Sequence, residues 1–342
     1  MAKRATISDV AELAGVGVAT VDRVLNGRSA VRARTAERVM VAAQSLNYHA
    51  HGLLRRRIEE MAPAKSLGFI LQKRGKWFYQ ALAADLRAAA EAQHDIRASV
   101  EIAFVETLTP DGLIAALKQM AGQVDAIAIV ALDHPAVVAE IRAVVASGIP
   151  VFAMLSDLSS PAHSGYIGVD GRKAGRTAGW AMARSVPGDG EVGILIGSHR
   201  YLGQEDRETG FRSYMREHAS NVCLRDSVIY MDEASIAYEA TAEILRASPG
   251  LAGIYHCGGG VEGALQALSE ADRGADVFYV CHENSPCAIQ ALADGGADLI
   301  LVSPTAEIAH HTVAEIVNSL TASGGEQPRI YVPFQILTPE NL

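Results

Sequence analysis

Cysteine is scarce in this sequence. Its 342 residues hold four, Cys223, Cys257, Cys281 and Cys287, all late in the chain and none in a CxxC pair. That excludes a disulfide framework and points to reduced thiols. Long apolar runs are also missing: the longest, Ala126–Leu132, falls far short of the roughly 18 residues that cross a bilayer. The opening "MAKRATISDV" has no apolar core of a signal peptide, so a cytoplasmic protein without membrane partners is expected. No GxSxG or Ser/His/Asp arrangement appears, which removes the commonest hydrolase readings. His256-Cys257 and Cys281-His282, with Cys287 nearby, follow no metal-ligand spacing, and no metal is expected there. A basic surplus is absent as well. The net charge is −9, which by itself argues against a nucleic-acid partner.

What is present changes that last conclusion. Residues 1–58 hold ten Lys and Arg against four Asp and Glu, whereas the remainder holds 20 against 35. A basic head on an acidic body reads as a polyanion-binding module joined to something else. Apolar residues make up 49% and charged residues 20%, so the whole is globular, with length for two or three compact units.

The head is helical by pattern. Thr6-Ile7-Ser8-Asp9 has the form of a capping box, and Val10, Ala11, Leu13 and Ala14 supply a short apolar face. Gly15 frees the backbone to turn. A second helix over about 17–25 directs Val21, Val24 and Leu25 inward. A third, about 32–46, buries Val39, Ala43 and Leu46. Two short helices about a glycine turn, backed by a third, form the all-α helix-turn-helix layout. Residues 1–49 are assigned to it and 50–65 to a hinge and linker. From residue 66 the period changes. Nine β-rich runs, from "LGFIL" to "LILV", alternate with helical stretches, which predicts a two-lobed α/β domain with parallel sheets over 66–342. The lobes are expected to meet near Tyr166–Asp170, with a cleft at the carboxyl ends of the strands.

The outward residues of the second helix, Gly17, Val18, Ala19, Asp22, Arg23 and Asn26, are mostly small, as a backbone deep in a groove about 12 Å wide requires. At this point "ATISDVAELAGVGVATVDRVLNG" and the later "RTAERVMVAAQSLNY" strongly resemble the DNA-binding head of the lac-repressor (LacI/GalR-type) regulators. The body resembles that family's effector domain, of the periplasmic-binding-protein-like type I fold. The resemblance implies a transcriptional repressor without cofactor. It would bind pseudo-palindromic double-stranded operator DNA as a homodimer and answer to a small carbohydrate-like effector, a sugar or polyol. By the same resemblance Val18, Ala19 and Arg23 read bases, while Thr6, Ser8, Thr20 and Asn26 meet phosphates. Gly17 and Asp22 replace serines that the family uses on the phosphate side. In the hinge, Arg57 aligns with the family's minor-groove leucine wedge. Leu53 or Leu54 supplies a wedge one turn earlier, and Arg55, Arg56 and Arg57 favour phosphate contact.

Effector contacts are expected at strand ends. Trp77 and Phe78 offer aromatic faces, and Asp157 and Asp170 offer acceptors. Arg207 in "QEDRETGF" matches the family's Arg-x-x-Gly, Glu283 takes the place of a family acid, and Ser303 stands where the family often has an acid before its last long helix. Gly258 belongs to "CGGGVEG", in which Gly258-x-Gly260-x-x-Gly263 also fits a dinucleotide-binding fingerprint. Two alternatives therefore stay open: an NAD(P)-dependent oxidoreductase, and a sugar-binding protein with no role on DNA.

Overall fold

The computed structural model describes residues 5–26, 31, 33–46, 48–49, 62–321 and 327–342. The hinge expectations at Leu53, Leu54, Arg55, Arg56 and Arg57, and the one for the Asn26 side chain, lie outside the described residues. The chain divides into two compact units, residues 1–67 with 88–100, and residues 68–87 with 101–342.

In the first unit the head folds as α1 (Ile7–Ala14), α2 (Val18–Asn26) and α3 (Ala33–Ser45). The capping box forms: Thr6 Oγ1 accepts from the Asp9 N–H, and the Asp9 carboxylate accepts from the Thr6 N–H at 2.7 Å. Gly15 ends α1 with φ of 63°, a left-handed conformation that its missing Cβ permits. Arg38 of α3 donates to the carbonyls of Ala14 and Gly15, satisfying acceptors that the end of α1 leaves unpaired. Val10, Val21, Val24, Val39 and Ala43 are completely or almost completely buried and form the head's core with Tyr48.

The remaining strands form two sheets of six, among the described residues. Lobe 1 has the order β11-β5-β4-β3-β1-β2 and lobe 2 the order β12-β10-β9-β8-β6-β7. The lobe 1 strands are β1 (Ala64–Gln72), β2 (Arg97–Val105), β3 (Ala126–Ile129), β4 (Val151–Met154), β5 (Gly165–Gly168) and β11 (Arg329–Tyr331). Those of lobe 2 are β6 (Glu191–Ile196), β7 (Cys223–Ile229), β8 (Leu251–His256), β9 (Phe278–Cys281), β10 (Leu299–Val302) and β12 (Gln335–Leu337). The helices are α4 (Trp77–Glu91), α5 (Pro110–Ala121), α6 (Pro135–Ala146), α7 (Gly171–Ser185), α8 (Leu202–His218), α9 (Ala234–Ala247), α10 (Val261–Glu270), α11 (Pro286–Asp294) and α12 (Thr305–Thr321). β3, β4 and β5 pair in parallel, as do β6, β7, β8, β9 and β10; β12 closes its sheet antiparallel to β10.

The chain crosses between the lobes three times: β5 to α7, β10 to α12 and β11 to β12. The first crossover falls at the expected place. β1 starts at Ala64, inside the span assigned to the linker, where Pro63 O and Lys65 O already accept from Arg97 N and Ser99 Oγ. Lobe 1 packs Ile70, Ile127, Ile129 and Val151 against α5 and α6. Lobe 2 is covered on both faces, by α9, α10 and α11 on one and by α7 and α8 on the other.

Candidate functional site

The head presents one face of α2. Gly17, Val18, Ala19 and Arg23 are exposed, Thr20 and Asp22 partly so, and Val21 and Val24 are turned inward. The Arg23 Nε donates to the Ala19 carbonyl at 3.1 Å, one turn back along its own helix. Thr6 directs its hydroxyl to Asp9 at 2.7 Å, and Ser8 is exposed on the first turn of α1.

In the second unit, parallel strands converge their carboxyl ends on a cavity of about 110 Å³. Gln72 ends β1 and Lys73 follows it, Leu155 and Ser156 follow β4, and Asp232 follows β7. Gly258 follows β8, His282 and Glu283 follow β9, and Ser303 follows β10; Gln204 and Arg207 come from α8. Lys73, Leu155, Met231 and Asp232 have positive φ, between 34° and 63°. Four non-glycine residues in that region, all at strand ends beside one cavity, are the kind of strain that collects at functional sites.

Arg207 spans lobe 2. Its Nη1 donates to the Cys257 carbonyl at 2.8 Å and its Nη2 to Ser303 Oγ at 3.3 Å, while its buried Nε has no partner. Asp232 accepts from Gln204 Nε2 at 3.0 Å and from the Gly259 N–H at 3.0 Å. Burial pushes its carboxyl above the ordinary range, against the pull of those donors. Glu283 accepts from the Gly260 N–H at 2.9 Å; burial, reinforced by Glu262, pushes it up to about 7. Burial, with Arg207 adding to it, holds His282 well below the ordinary imidazole range, so this residue stands in the cavity uncharged. Two cations cross from lobe 1 to lobe 2. Lys73 Nζ reaches the Met231 carbonyl at 2.9 Å and Glu233 Oε1 at 2.6 Å, and Lys76 Nζ reaches Glu262 Oε1 at 3.2 Å.

A raised Glu283 has a stability consequence of definite sign. Its ordinary value is 4.5 and its folded value about 7. The fold therefore holds the proton more tightly than the unfolded chain does. The associated stability is fully present below about pH 4.5 and is lost as pH rises through about 7, a change of about 3 kcal/mol. Glu283→Gln, which fixes the uncharged form, is expected to raise the thermal midpoint at pH 8 and leave it nearly unchanged at pH 4.5. A difference between variant and wild type that stays flat across that range contradicts the assignment.

Of the eight expected effector residues, Phe78, Arg207, Gly258, Glu283 and Ser303 line the cavity. Three do not. Trp77 begins α4, is 39% exposed and lies at an outer recess, one residue away from the face that carries Phe78 inward. Asp157 is held in the loop after β4 by His163 at 2.9 Å, by the Leu158 N–H at 2.8 Å and by Arg329; these partners keep its carboxyl below the ordinary range although burial opposes them. Asp170 caps α7 through the Lys173 N–H at 3.0 Å. Asp232, Gln204, Lys73 and His282 line the cavity although the sequence marks none of them as an effector contact; His282 is considered there only as a metal ligand.

The glycine fingerprint has a different physical basis from dinucleotide binding. A side chain on Gly258 would strike Tyr230 and Gln204, and one on Gly263 would overlap the Ala234 carbonyl of α9. The N–H groups of Gly259 and Gly260, which a pyrophosphate would need, are taken by Asp232 and Glu283. His256 in β8 is buried and bonded at 2.7 Å to both Tyr230 and Tyr279, and burial pulls it down to about 4, so it too is a neutral structural group. Among the described residues no His, Cys, Asp and Glu cluster is arranged to hold a metal ion, and no helix is long and apolar enough to cross a membrane.

Comparison with known proteins follows the same division. Residues 67–324 match the periplasmic binding protein domain, and residues 6–51 match the bacterial regulatory proteins of the lacI family. The maltose regulon regulatory protein MalI of Escherichia coli (strain K12) is 37% identical over 94 residues, 27% of this chain and 26% of that protein. The chain thus aligns with about a quarter of the length of the curated relative it matches. A solute-binding protein of an Agrobacterium vitis ABC transporter, bound to α-D-tagatopyranose, superposes with a TM-score of 0.75 at 19% identity, over 81% of this chain and 95% of that one. A Burkholderia graminis C4D1M counterpart in complex with D-arabinose gives 0.75 at 20% identity, over 82% and 97%. At such identities the likeness is one of fold. The chain belongs to the periplasmic binding protein domain family and carries at its N-terminus a DNA-binding domain of the lacI family of bacterial regulatory proteins.

Proposed function

We propose that the chain is a cytoplasmic transcriptional repressor whose hold on operator DNA is set by a small polyhydroxylated effector in the cleft of the second unit. The observation that carries this reading is the pairing, in one chain, of a lacI-type head whose α2 face is small and exposed with a binding-protein fold whose cleft sets Gln204, Arg207, Asp232 and Glu283 beside the rings of Phe78, Tyr79 and Tyr201. The sugars bound by structural relatives of the second unit support the effector class. Val18 and Ala19 offer apolar contact to base edges, and Arg23 offers a fork that fits a guanine. In the free protein its Nε donates to the Ala19 carbonyl one turn back, while the side chain as a whole is exposed. Two heads in a homodimer would read two half-sites one or more helical turns apart. Ligand in the cleft biases lobe closure about the three crossovers, and the resulting change in DNA affinity is matched by an equal effect of DNA on ligand affinity. The dehydrogenase reading loses its footing because the fingerprint's N–H groups are already occupied.

The test is selection of binding sites from random duplexes with the full chain, followed by titration of the best site. A pseudo-palindrome is expected. Arg23→Ala should weaken it about 10–100-fold while leaving binding to random DNA nearly intact. Failure to enrich any sequence overturns the reading. Asp22 is a further case. An acceptor-only side chain at a phosphate-facing site opposes binding, so Asp22→Ser should tighten binding to all sequences alike. A selective loss at the operator would instead show that Asp22 reads a base.

A further inference from the structure

The start of α10 lies beside the cavity and is built like an anion site. Gly260, its N-cap, has φ of 77° and no side chain, so the N–H groups of Gly259 and Gly260 stand at the positive end of the helix. Here they are already occupied by Asp232 and Glu283, both of which line the cavity. The other lining charges are spoken for in part. Lys73 is paired with Glu233 and Lys76 with Glu262, at 2.6 and 3.2 Å. Arg207 enters no ion pair among the described residues, and its hydrogen bonds go to two neutral acceptors. The cavity thus opposes one unpaired guanidinium to two carboxyls.

Resting on the effector reading above, we propose that Asp232 and Glu283 are specificity determinants that make the effector an uncharged polyhydroxy compound and exclude its phosphorylated or acidic forms. A neutral vicinal diol accepts from Arg207 and donates to either carboxyl without adding charge. An anion must displace a carboxylate from the α10 N–H groups or lie against it, and neither the paired lysines nor the single arginine offsets two such neighbours. Burial first, then Glu262 and to a smaller extent Asp232, raise the proton affinity of Glu283, which agrees with a site where added negative charge is costly.

The experiment uses the full chain and matched probes: D-ribose with ribose 5-phosphate, D-glucose with glucose 6-phosphate and D-gluconate, and xylitol, measured by thermal shift and calorimetry. The neutral member of a pair is expected to bind at least 100-fold more tightly, and Asp232→Asn and Glu283→Ala are each expected to narrow that ratio to under 10-fold. Inorganic phosphate should raise the melting temperature of Glu283→Ala more than that of wild type, because the Gly260 N–H is then open. Should either variant fail to fold, the wild-type ratios decide. An anionic member that binds more tightly than its neutral counterpart overturns the selectivity and leaves the effector reading standing. A panel in which no member binds overturns the effector reading itself.

Discussion

Gly175→Val is expected to lower the stability of the second unit by about 3 kcal/mol or more, a fall in thermal midpoint on the order of 5–10 °C. Gly175 lies in α7 where α8 crosses it, and a Cβ there would overlap the backbone carbonyl of Arg207. A flexible side chain could step aside, but a carbonyl held in a helix cannot. The two helices must part along the whole crossing, which also includes Gly210 against the Arg172 carbonyl. Parting them opens the core around Phe211 and Met215, both almost completely buried. The second effect is local: the carbonyl to be displaced belongs to Arg207, so the guanidinium moves with it. Loss of effector affinity should therefore exceed what the stability change alone produces, visible as weaker binding well below the melting range. Gly188→Ala is the control, since a Cβ at Gly188 meets nothing within 4 Å. A fall of less than 2 °C for Gly175→Val would show that the α7–α8 crossing tolerates separation.

Much of this arrangement is legible in the sequence, and the parts that are not have physical reasons. The head can be read because its cues are local: a capping box at Thr6–Asp9, a left-handed glycine at 15, and the expected inward valines Val10, Val21, Val24 and Val39, which all prove buried, although Leu13 of the expected apolar face is exposed. Eight strands can be read because buried parallel strands are continuous apolar runs, such as Ala126–Ile129, and the edge strand β2 because its "VEIAFV" still alternates apolar residues with few charges. β7, "CLRDSVI", escapes because it is an edge strand with no buried residue, and Arg225, Asp226 and Ser227 interrupt its apolar pattern. With β7 unrecognised, Asp232 cannot be placed at a strand end, so the acid nearest to Gln204 goes unseen. Asp157 and Asp170 fail for the opposite reason. Both follow strands in sequence, but local donors capture their carboxylates, one at Leu158 and His163 and the other at the start of α7. Spacing shows which residues follow a strand; only the fold shows which of them remain free to face a ligand. Lys73 and Lys76 escape because their role is to span the lobes, which depends on partners more than 150 residues away.

Arg207→Ala is expected to lower effector affinity about 30–1,000-fold, while DNA affinity without effector stays within about threefold of wild type. Arg207 occupies a position between two of the three crossovers. Its backbone carries the Gly175 contact on α7, just after the β5 crossover, and its Nη2 reaches Ser303 in the β10 crossover. Removing the side chain takes away the cavity's unpaired cation and leaves the Cys257 carbonyl without its guanidinium donor. Loss of hydrogen bonds from a charged group in a largely buried site is worth about 2–4 kcal/mol, which gives the stated range. The unliganded equilibrium between lobe arrangements includes no effector contact, so the head's grip on DNA has no direct reason to change. Because the coupling is reciprocal, a variant that cannot bind effector also cannot be released or tightened by it. Arg207→Lys separates charge from geometry. An ammonium keeps the charge but cannot serve Cys257 and Ser303 in the directions of a planar fork, so affinity should fall between those of alanine and wild type. Titrating operator binding with and without effector for the three proteins gives the answer. If Arg207→Ala keeps both its effector affinity and its response on DNA, the effector does not occupy this cavity.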